Sequence, residues 1–333
     1  MRNRKVINSV LAIMIAFIMG GLMVLLSGDS PLETYSVLLK GSFGSLNALK
    51  NTIRYSIPVV LLAYSFSVCN QCGYFNISHE SQMYSASLAI VMVSELTQGW
   101  PSWLRLILMM AAACMASIAA CMIPAAAKFG LGVSEVVVGV MMNYLMAYLT
   151  KHMIAFSFIA QPGSSSIMSL PVSESVGAVS ITVSTVVIIL LYQFVMKKTI
   201  PGYRLSVVGR NPLFANASGL PSMRIMLSSA VVGGLLTGIC AIGEMLGYYH
   251  IIYSDFAVDI GFNGMTAALL GAQNAIGMLL GSLLLGALKS GSVLLTVVTS
   301  VPAELVDCVK GFVMFFATVT FIRSDVWMRK GGK

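Results

Sequence analysis

The chain has 333 residues, of which 57% are hydrophobic and only 10% are charged, with 20 basic and 12 acidic side chains and a mean hydropathy of +0.88. A soluble globular protein carries about 25% charged residues, so this chain could not cover a water-exposed surface with polar groups. The composition predicts a polytopic membrane protein and excludes a soluble enzyme or a nucleic-acid-binding protein.

Long apolar runs follow one another along the chain. A helix needs about 20 mostly apolar residues to cross the hydrocarbon core. The clear runs are 6–27, 53–72, 80–97, 103–127, 133–155, 178–196, 224–247, 275–297 and 304–322. A further run, 261–272, is long enough for about half a crossing. We therefore predict an all-α protein with about ten transmembrane helices, some short or broken, in one membrane domain over 1–333. The longest polar stretches, 28–52, 156–177 and 197–223, would connect the spans.

Basic residues predict the orientation of these helices, because short loops rich in Lys and Arg stay on the cytoplasmic side. With ten passes and a cytoplasmic N-terminus, thirteen basic residues fall on the inside and five on the outside. The opposite topology would invert this bias. We therefore expect both termini to lie in the cytoplasm.

Polar side chains interrupt the apolar pattern at two places. The first is 73–82, and the second is 261–264 together with 271–277, around the short run. Interrupted segments at matching positions in two halves indicate a transporter's substrate site, although ordinary polar turns at the membrane surface are the alternative. The candidate substrate-path residues are Phe75, Asn76, Glu80, Gln82, Asn143, Glu244, Asn263 and Asn274.

Each of these side chains has a chemical reason to be a candidate. The amides can donate to and accept from neutral polyhydroxyl compounds or base edges, and Phe75 could stack on a base. Glu80 and Glu244 carry charges that are expensive inside a membrane and therefore paired or functional. A structural pair of Glu244 with Lys289 is an equal alternative. The three histidines show no ligand spacing, so no metal site is predicted.

The segment 197–224 is the one substantial loop predicted on the cytoplasmic side. Asn211 suits a helix N-cap, Pro212 the first helical position and Gly219 the stop, so a short helix displayed outside the membrane is predicted. Its defined ends favour a docking element over simple attachment to anionic lipid. The chain has no ATP-binding motif, so any nucleotide would be bound by another chain.

The order and spacing of several motifs resemble permease subunits of bacterial ABC importers in the branched-chain amino acid, ribose and nucleoside superfamily, most of all the nucleoside and simple-sugar branch. The motifs are 73–82, 132–135, 142–144, 208–212, Ala215, Gly219, 261–271, Asn274, Gly277 and 302–307. Ser78, Ser81, Asn263, Ala275 and Arg210 depart from the residues usual in this family.

The resemblance implies a type II-like importer half in the bacterial cytoplasmic membrane. Its partners would be a second permease in a heterodimer, a cytoplasmic ATPase that uses ATP, and an extracytoplasmic substrate-binding lipoprotein. The chain itself would bind no cofactor. The loop 197–224 would carry the coupling helix. The implied ATPase-coupling residues are Gly209, Arg210, Asn211, Pro212, Ala215 and Gly219.

The preferred hypothesis is a transport subunit, not an enzyme, for nucleosides, with simple sugars such as ribose or galactose as the second choice. An ion-coupled secondary transporter is the remaining alternative. It would need a protonatable carboxylate in the path, for which Glu244 is the candidate, and would make no use of the helix at 211–219. The residues themselves do not separate import from export.

Overall fold

In a computed structural model of the chain, residues 2–26, 28–163, 166–299, 306–309, 311–312 and 315 are described. These residues are mostly helical, and no named strand occurs among them. The helices are α1 (Arg2–Leu26), α2 (Pro31–Phe43), α3 (Leu46–Gln71), α4 (His79–Leu96), α5 (Ser102–Leu131), α6 (Glu135–Phe156), α7 (Ala178–Lys198), α8 (Ile200–Arg210), α9 (Pro212–Ala217), α10 (Ser222–Glu244), α11 (Ile260–Leu270) and α12 (Ala275–Val298). A π-helical turn, Met245–Tyr249, continues α10.

Five stretches among the described residues are long and apolar enough to cross a membrane. They are α3, α5, α7, α10 with its π-helical turn, and α12. The pair Met14–Leu26 and Pro31–Phe43, bent by 120°, would make a sixth. An all-helical polytopic membrane protein is thereby confirmed. The count of about ten stays a prediction, and most of the predicted span 304–322 lies outside the described residues.

Several helix boundaries differ from those expected. The polar stretch 28–52 contains α2, and the loop 197–223 contains α8 in addition to the predicted short helix. Both helices have a proline in their first turn, where its missing N–H leaves no hydrogen bond unmade. The positions 261–264, expected as a break, lie inside α11, and the left-handed backbone comes after this helix, at Ala272 and Gln273.

The described chain divides into two compact units. The terminal unit comprises Met1–Ala63 and Asn263–Lys333, and the central unit comprises Tyr64–Phe262. In the terminal unit, α2 packs closely on α12, because a Cβ at Gly41 would lie 3.0 Å from the Cα of Gly291. Ser42 Oγ donates to the carbonyl of Ala287, and Ser290 Oγ donates to that of Gly41. These hydroxyls bind the backbones of two helices that small residues bring together.

In the central unit, α10 packs against α5 through small residues. A Cβ added to Gly234 would lie 2.7 Å from the Cα of Ile118, and one added to Gly238 would lie 3.0 Å from the Cα of Cys114. Ser117 Oγ donates to the carbonyl of Gly234 across 2.7 Å. The spacing of Gly234 and Gly238 therefore serves the close helix approach that small-xxx-small pairs indicate.

Replacing Gly234 by Ala tests this close approach. The new methyl group would meet backbone that cannot move independently, so we expect the free energy of unfolding to fall by about 1–3 kcal/mol. Gly130→Ala is the matched control, because Gly130 lies in α5 with open space around its Cα. Thermal unfolding in detergent should show a lower midpoint for Gly234→Ala alone, and equal midpoints would contradict the packing argument.

Candidate functional site

The connection between α3 and α4, residues 72–78, runs along one face of α6. Phe75 N–H donates to Glu135 Oε1 across a long 3.4 Å, and Gly139 leaves room for the backbone at Ser78. One further turn along, Asn143 Nδ2 donates to the carbonyl of Ile77. The three α6 residues are four positions apart and therefore share one face. This α3–α4 connection is thus fixed against α6 over two turns.

Asn76 organises the turn that starts α4. Its Oδ1 accepts hydrogen bonds from the Ser78 backbone N–H at 3.1 Å, the Ser78 hydroxyl at 2.8 Å and Gln82 Nε2 at 3.3 Å. Gln82 also donates to the Ser78 hydroxyl. Ser81 Oγ donates to the carbonyl of Ser78. Both serines that depart from the family pattern therefore form hydrogen bonds within this turn. All four side chains are buried.

A second set of buried polar groups continues this arrangement between α3, α4 and α10. Ser65 Oγ donates to the carbonyl of Gly233 at 2.8 Å and lies 3.1 Å from both His79 Nε2 and Thr237 Oγ1. Buried polar groups are costly unless they bind one another. Their mutual hydrogen bonds therefore hold the first turn of α4 inside the helical bundle.

A cleft of about 230 Å³ opens beside this turn. It is formed by α4, α6 and the segment that precedes and begins α11. Its lining residues are Glu80, Tyr84, Val140, Asn143, Tyr144, Ala147, Tyr148, Lys151, Asp255, Val258, Asp259 and Phe262. Small-molecule sites commonly combine aromatic walls with a few polar groups of this kind. No group of three or more potential metal ligands gathers within the part of the chain that the structure describes.

Two of the eight predicted substrate-path residues, Glu80 and Asn143, line this cleft. Asn76 and Gln82 are fully buried in the hydrogen-bonded turn behind it. Phe75 packs edge-to-face on Phe66, with ring centroids 5.0 Å apart.

The other three predicted residues lie elsewhere. Glu244 is buried at the end of α10, where the π-helical turn begins, and does not line the cleft. Asn263 and Asn274 belong to the terminal unit, the first inside α11 and the second at the N-cap position of α12. Their roles in a substrate path remain predictions.

Several residues that line the cleft were not predicted from the sequence. Tyr144, Tyr148 and Lys151 follow one another at spacings of four and three, which places them on one face of α6. This pattern could have been recognised beside Asn143. Asp255 and Asp259 could not, because a segment without periodicity carries no signal for what it covers.

The short helix predicted after Asn211 is present as α9. Asn211 accepts a hydrogen bond from the Phe214 N–H at 3.0 Å, as an N-cap does, and Pro212 is the first helical residue. Gly219 follows the helix with a left-handed φ of +80°. Ala215 is buried, whereas Leu213 and Phe214 are 81% and 61% exposed. The helix is shorter than two turns and presents two large apolar side chains outward.

Gly209 anchors this loop to the helical bundle. A Cβ at Gly209, in α8, would overlap the carbonyl oxygen of Gln71 at the end of α3. Only glycine permits this approach of two backbones. Arg210 then ends α8. At the other end of α9, Asn216 Oδ1 accepts from the backbone and hydroxyl of Ser222, a contact that the sequence did not reveal.

The apolar helices are those of a multi-pass membrane protein, and its cleft is lined by polar and aromatic residues. Comparison with known families is specific: the model of the branched-chain amino acid transport system permease component matches residues 48–318. The chain belongs to this family. It is a permease component of the bacterial cytoplasmic membrane, in agreement with the resemblance seen in its motifs.

Individual relatives cover nearly the whole chain. The nucleoside ABC transporter permease protein NupB of Lactococcus lactis is 28% identical over 96% of this chain and 93% of its own length. The guanosine ABC transporter permease protein NupP of Bacillus subtilis is 28% identical over 93% of this chain and 92% of its own. The glucose ABC transporter permease protein TsgB13 of Haloferax volcanii is 26% identical over 92% and 85%.

An ion pair at the edge of the cleft gives a pH-dependent expectation. Lys151 Nζ lies 2.8 Å from Asp255 Oδ1, and the hydrogen bond lowers the pKa of Asp255. The stabilisation is therefore present above the unfolded-state pKa of about 3.9 and is lost as the pH falls through the lower folded-state value. The pair is half exposed, so it contributes at most about 1 kcal/mol.

Asp255→Asn should therefore lower the free energy of unfolding at pH 7 by up to about 1 kcal/mol. Asn tolerates the left-handed φ of 65° at this position, so the backbone should not add a second effect. Comparison of the variant with the original chain between pH 7 and pH 3 should show the difference shrinking. A difference that stays constant over this range would contradict the ion-pair explanation.

Proposed function

We propose that this chain is a permease subunit of an ATP-driven importer that carries nucleosides across the cytoplasmic membrane. The observation that carries the proposal is the near full-length similarity to relatives named as nucleoside and guanosine ABC transporter permeases. The cleft in the central unit supports it chemically. A nucleoside joins a flat base to a polyhydroxyl ring, and the cleft offers both aromatic and hydrogen-bonding surfaces.

The proposal includes partners for the chain. A cytoplasmic ATPase would supply the energy, an extracytoplasmic binding protein would deliver the substrate, and a second permease would complete the membrane part. The exposed Leu213 and Phe214 on α9 support an ATPase contact, because large apolar side chains on a short, capped helix suit insertion into a groove.

We also propose about ten spans with both termini in the cytoplasm. Contacts within the central unit support this arrangement, because they join segments predicted on the same side. Arg105 pairs with Glu174, both beside loops predicted outside, and Lys151 with Asp255, also predicted outside. Lys128 pairs with Glu135 and donates to the Gly73 carbonyl, all three on the side predicted inside.

Simple-sugar transport is the second candidate function. It is favoured by the similarity to a glucose ABC transporter permease. A sugar would use the carboxyl and amide groups of the cleft but would gain less from its tyrosines, because hydroxyl-rich rings lack an extended π face. An ion-coupled transporter would instead operate without partner subunits.

Uptake of labelled guanosine, uridine and ribose tests the proposal. In cells that carry the complete transport system, we expect removal of this chain to abolish ATP-dependent nucleoside uptake. The measurement compares cells with and without the chain, energised and ATP-depleted. Loss of ribose uptake alone would favour the sugar alternative. Nucleoside uptake that survives ATP depletion and follows the proton gradient would overturn the ABC assignment.

A substitution in α9 tests the ATPase contact separately. Phe214→Ala removes an exposed ring without affecting the N-cap bond, which uses the backbone N–H. We expect nucleoside uptake to fall by about tenfold or more, as loss of a buried aromatic anchor does at an interface. Tyr203→Ala is the control, because Tyr203 is a similarly exposed ring in α8. Equal effects of the two substitutions, or none, would argue against α9 as the coupling element.

A further inference from the structure

Some carboxylates of the central unit form an ion pair with Lys or Arg, and others do not. Glu135 pairs with Lys128, Glu174 with Arg105, and Asp255 with Lys151. Within the described residues, Glu80 forms no ion pair. Among these residues, its carboxyl group accepts one hydrogen bond, from the backbone N–H of Asp259 across 3.1 Å.

Glu80 also lies deep along the bundle. The neighbouring residue, Ser81, donates its backbone N–H to Asn143 Oδ1 across 3.0 Å. Asn143 is eight residues into α6 (Glu135–Phe156), which corresponds to about 12 Å from the start of that helix. If α6 crosses the membrane as the sequence predicts for 133–155, this level lies inside it, where an acidic side chain without a cation is kept for function more often than for stability.

The surroundings of Glu80 leave hydrogen-bond acceptors uncovered. The Asp259 carboxyl lines the same cleft, and the rings of Tyr84, Tyr144 and Phe262 form its aromatic walls. Among the described residues that line the cleft, Lys151 is the one cation, and it pairs with Asp255. Within the described lining, Glu80 and Asp259 therefore have no cationic partner, and flat aromatic surfaces lie beside them.

We propose that Glu80 is a specificity-determining residue that accepts a pair of adjacent hydrogen-bond donors from the transported nucleoside. This inference rests on the proposed function. Two carboxyl oxygens match two neighbouring donors, as they do in bidentate pairs. A nucleoside carries such donors in two places: the 2′,3′-diol of its ribose, and the N1–H and N2–H₂ edge of guanine. Both sources share the chemistry that Glu80 recognises.

The test measures uptake preference in cells with the complete transporter. Labelled guanosine uptake is competed with unlabelled guanosine, adenosine and 2′,3′-dideoxyguanosine. Adenosine lacks the adjacent donor pair on its base, and dideoxyguanosine lacks the diol. The original chain should prefer guanosine to one of these competitors by about tenfold or more, since a charge-assisted pair of hydrogen bonds has that effect. Preference over adenosine identifies the base edge, and preference over dideoxyguanosine identifies the diol.

Glu80→Gln should remove that preference, because an amide presents a donor in place of one acceptor. Glu95→Gln is the matched control: Glu95 lies near the other end of α4, outside the cleft, and bonds to Gln98. Asp259→Asn is a second cleft variant. It keeps the backbone hydrogen bond to Glu80, and Asn tolerates the left-handed conformation at this position.

If the Glu80→Gln variant fails to accumulate in the membrane, the Asp259→Asn and Glu80→Asp variants decide the question. We expect both to show a reduced preference for guanosine.

The outcomes separate this inference from the function on which it rests. Absence of ATP-dependent nucleoside uptake by the original chain would overturn both. Normal uptake with an unchanged preference in Glu80→Gln would overturn the inference alone. The same holds if Glu80→Gln prevents co-purification with the partner subunits while the remaining uptake keeps its preference, because Glu80 would then serve assembly.

Discussion

The contact between the α3–α4 connection and α6 is the constraint on which the site depends. Backbone groups that leave helical geometry inside a membrane must find partners within the protein. Here Glu135 and Asn143 supply them, and Gly139 between them makes the approach possible. Because of these three residues, α4 can begin inside the bundle with its first turn facing α6. Glu80 lies at the second position of that helix and therefore faces the cleft.

The same connection is joined to the loop that we propose to contact the ATPase. Gly209 abuts Gln71, the last residue of α3, and α9 begins three residues later. A movement of α9 would therefore reach the α3–α4 connection through two backbones in contact rather than through flexible side chains. Close packing transmits such displacements because interiors compress little. The loop that carries α9 and the cleft are consequently connected through packed backbone within the central unit.

Much of this arrangement could be predicted from local signals in the sequence. The N-cap and proline of α9 and the glycine spacing of α10 follow from residues within a few positions of one another, so they can be recognised in the sequence. The cleft was predicted only in part, through Glu80 and Asn143. Asn76 and Gln82 have the same amide chemistry as a binding residue, yet they bind the turn itself. Composition cannot tell an amide that holds a turn from one that meets a ligand, because that depends on which partners the fold brings near.

The segment before α11 forms one side of the cleft in an unfavourable backbone conformation. His250, Asp255 and Asp259 all adopt left-handed backbone conformations, which are unfavourable for residues other than glycine, although Asp tolerates them better than most. Contacts must offset that strain: Lys151 holds Asp255, and Glu80 accepts the N–H of Asp259. A ligand that engaged Glu80 would compete with the second of these contacts. Under the proposed role of Glu80, occupation of the cleft and the conformation of the segment beside it would be coupled through this one carboxyl group.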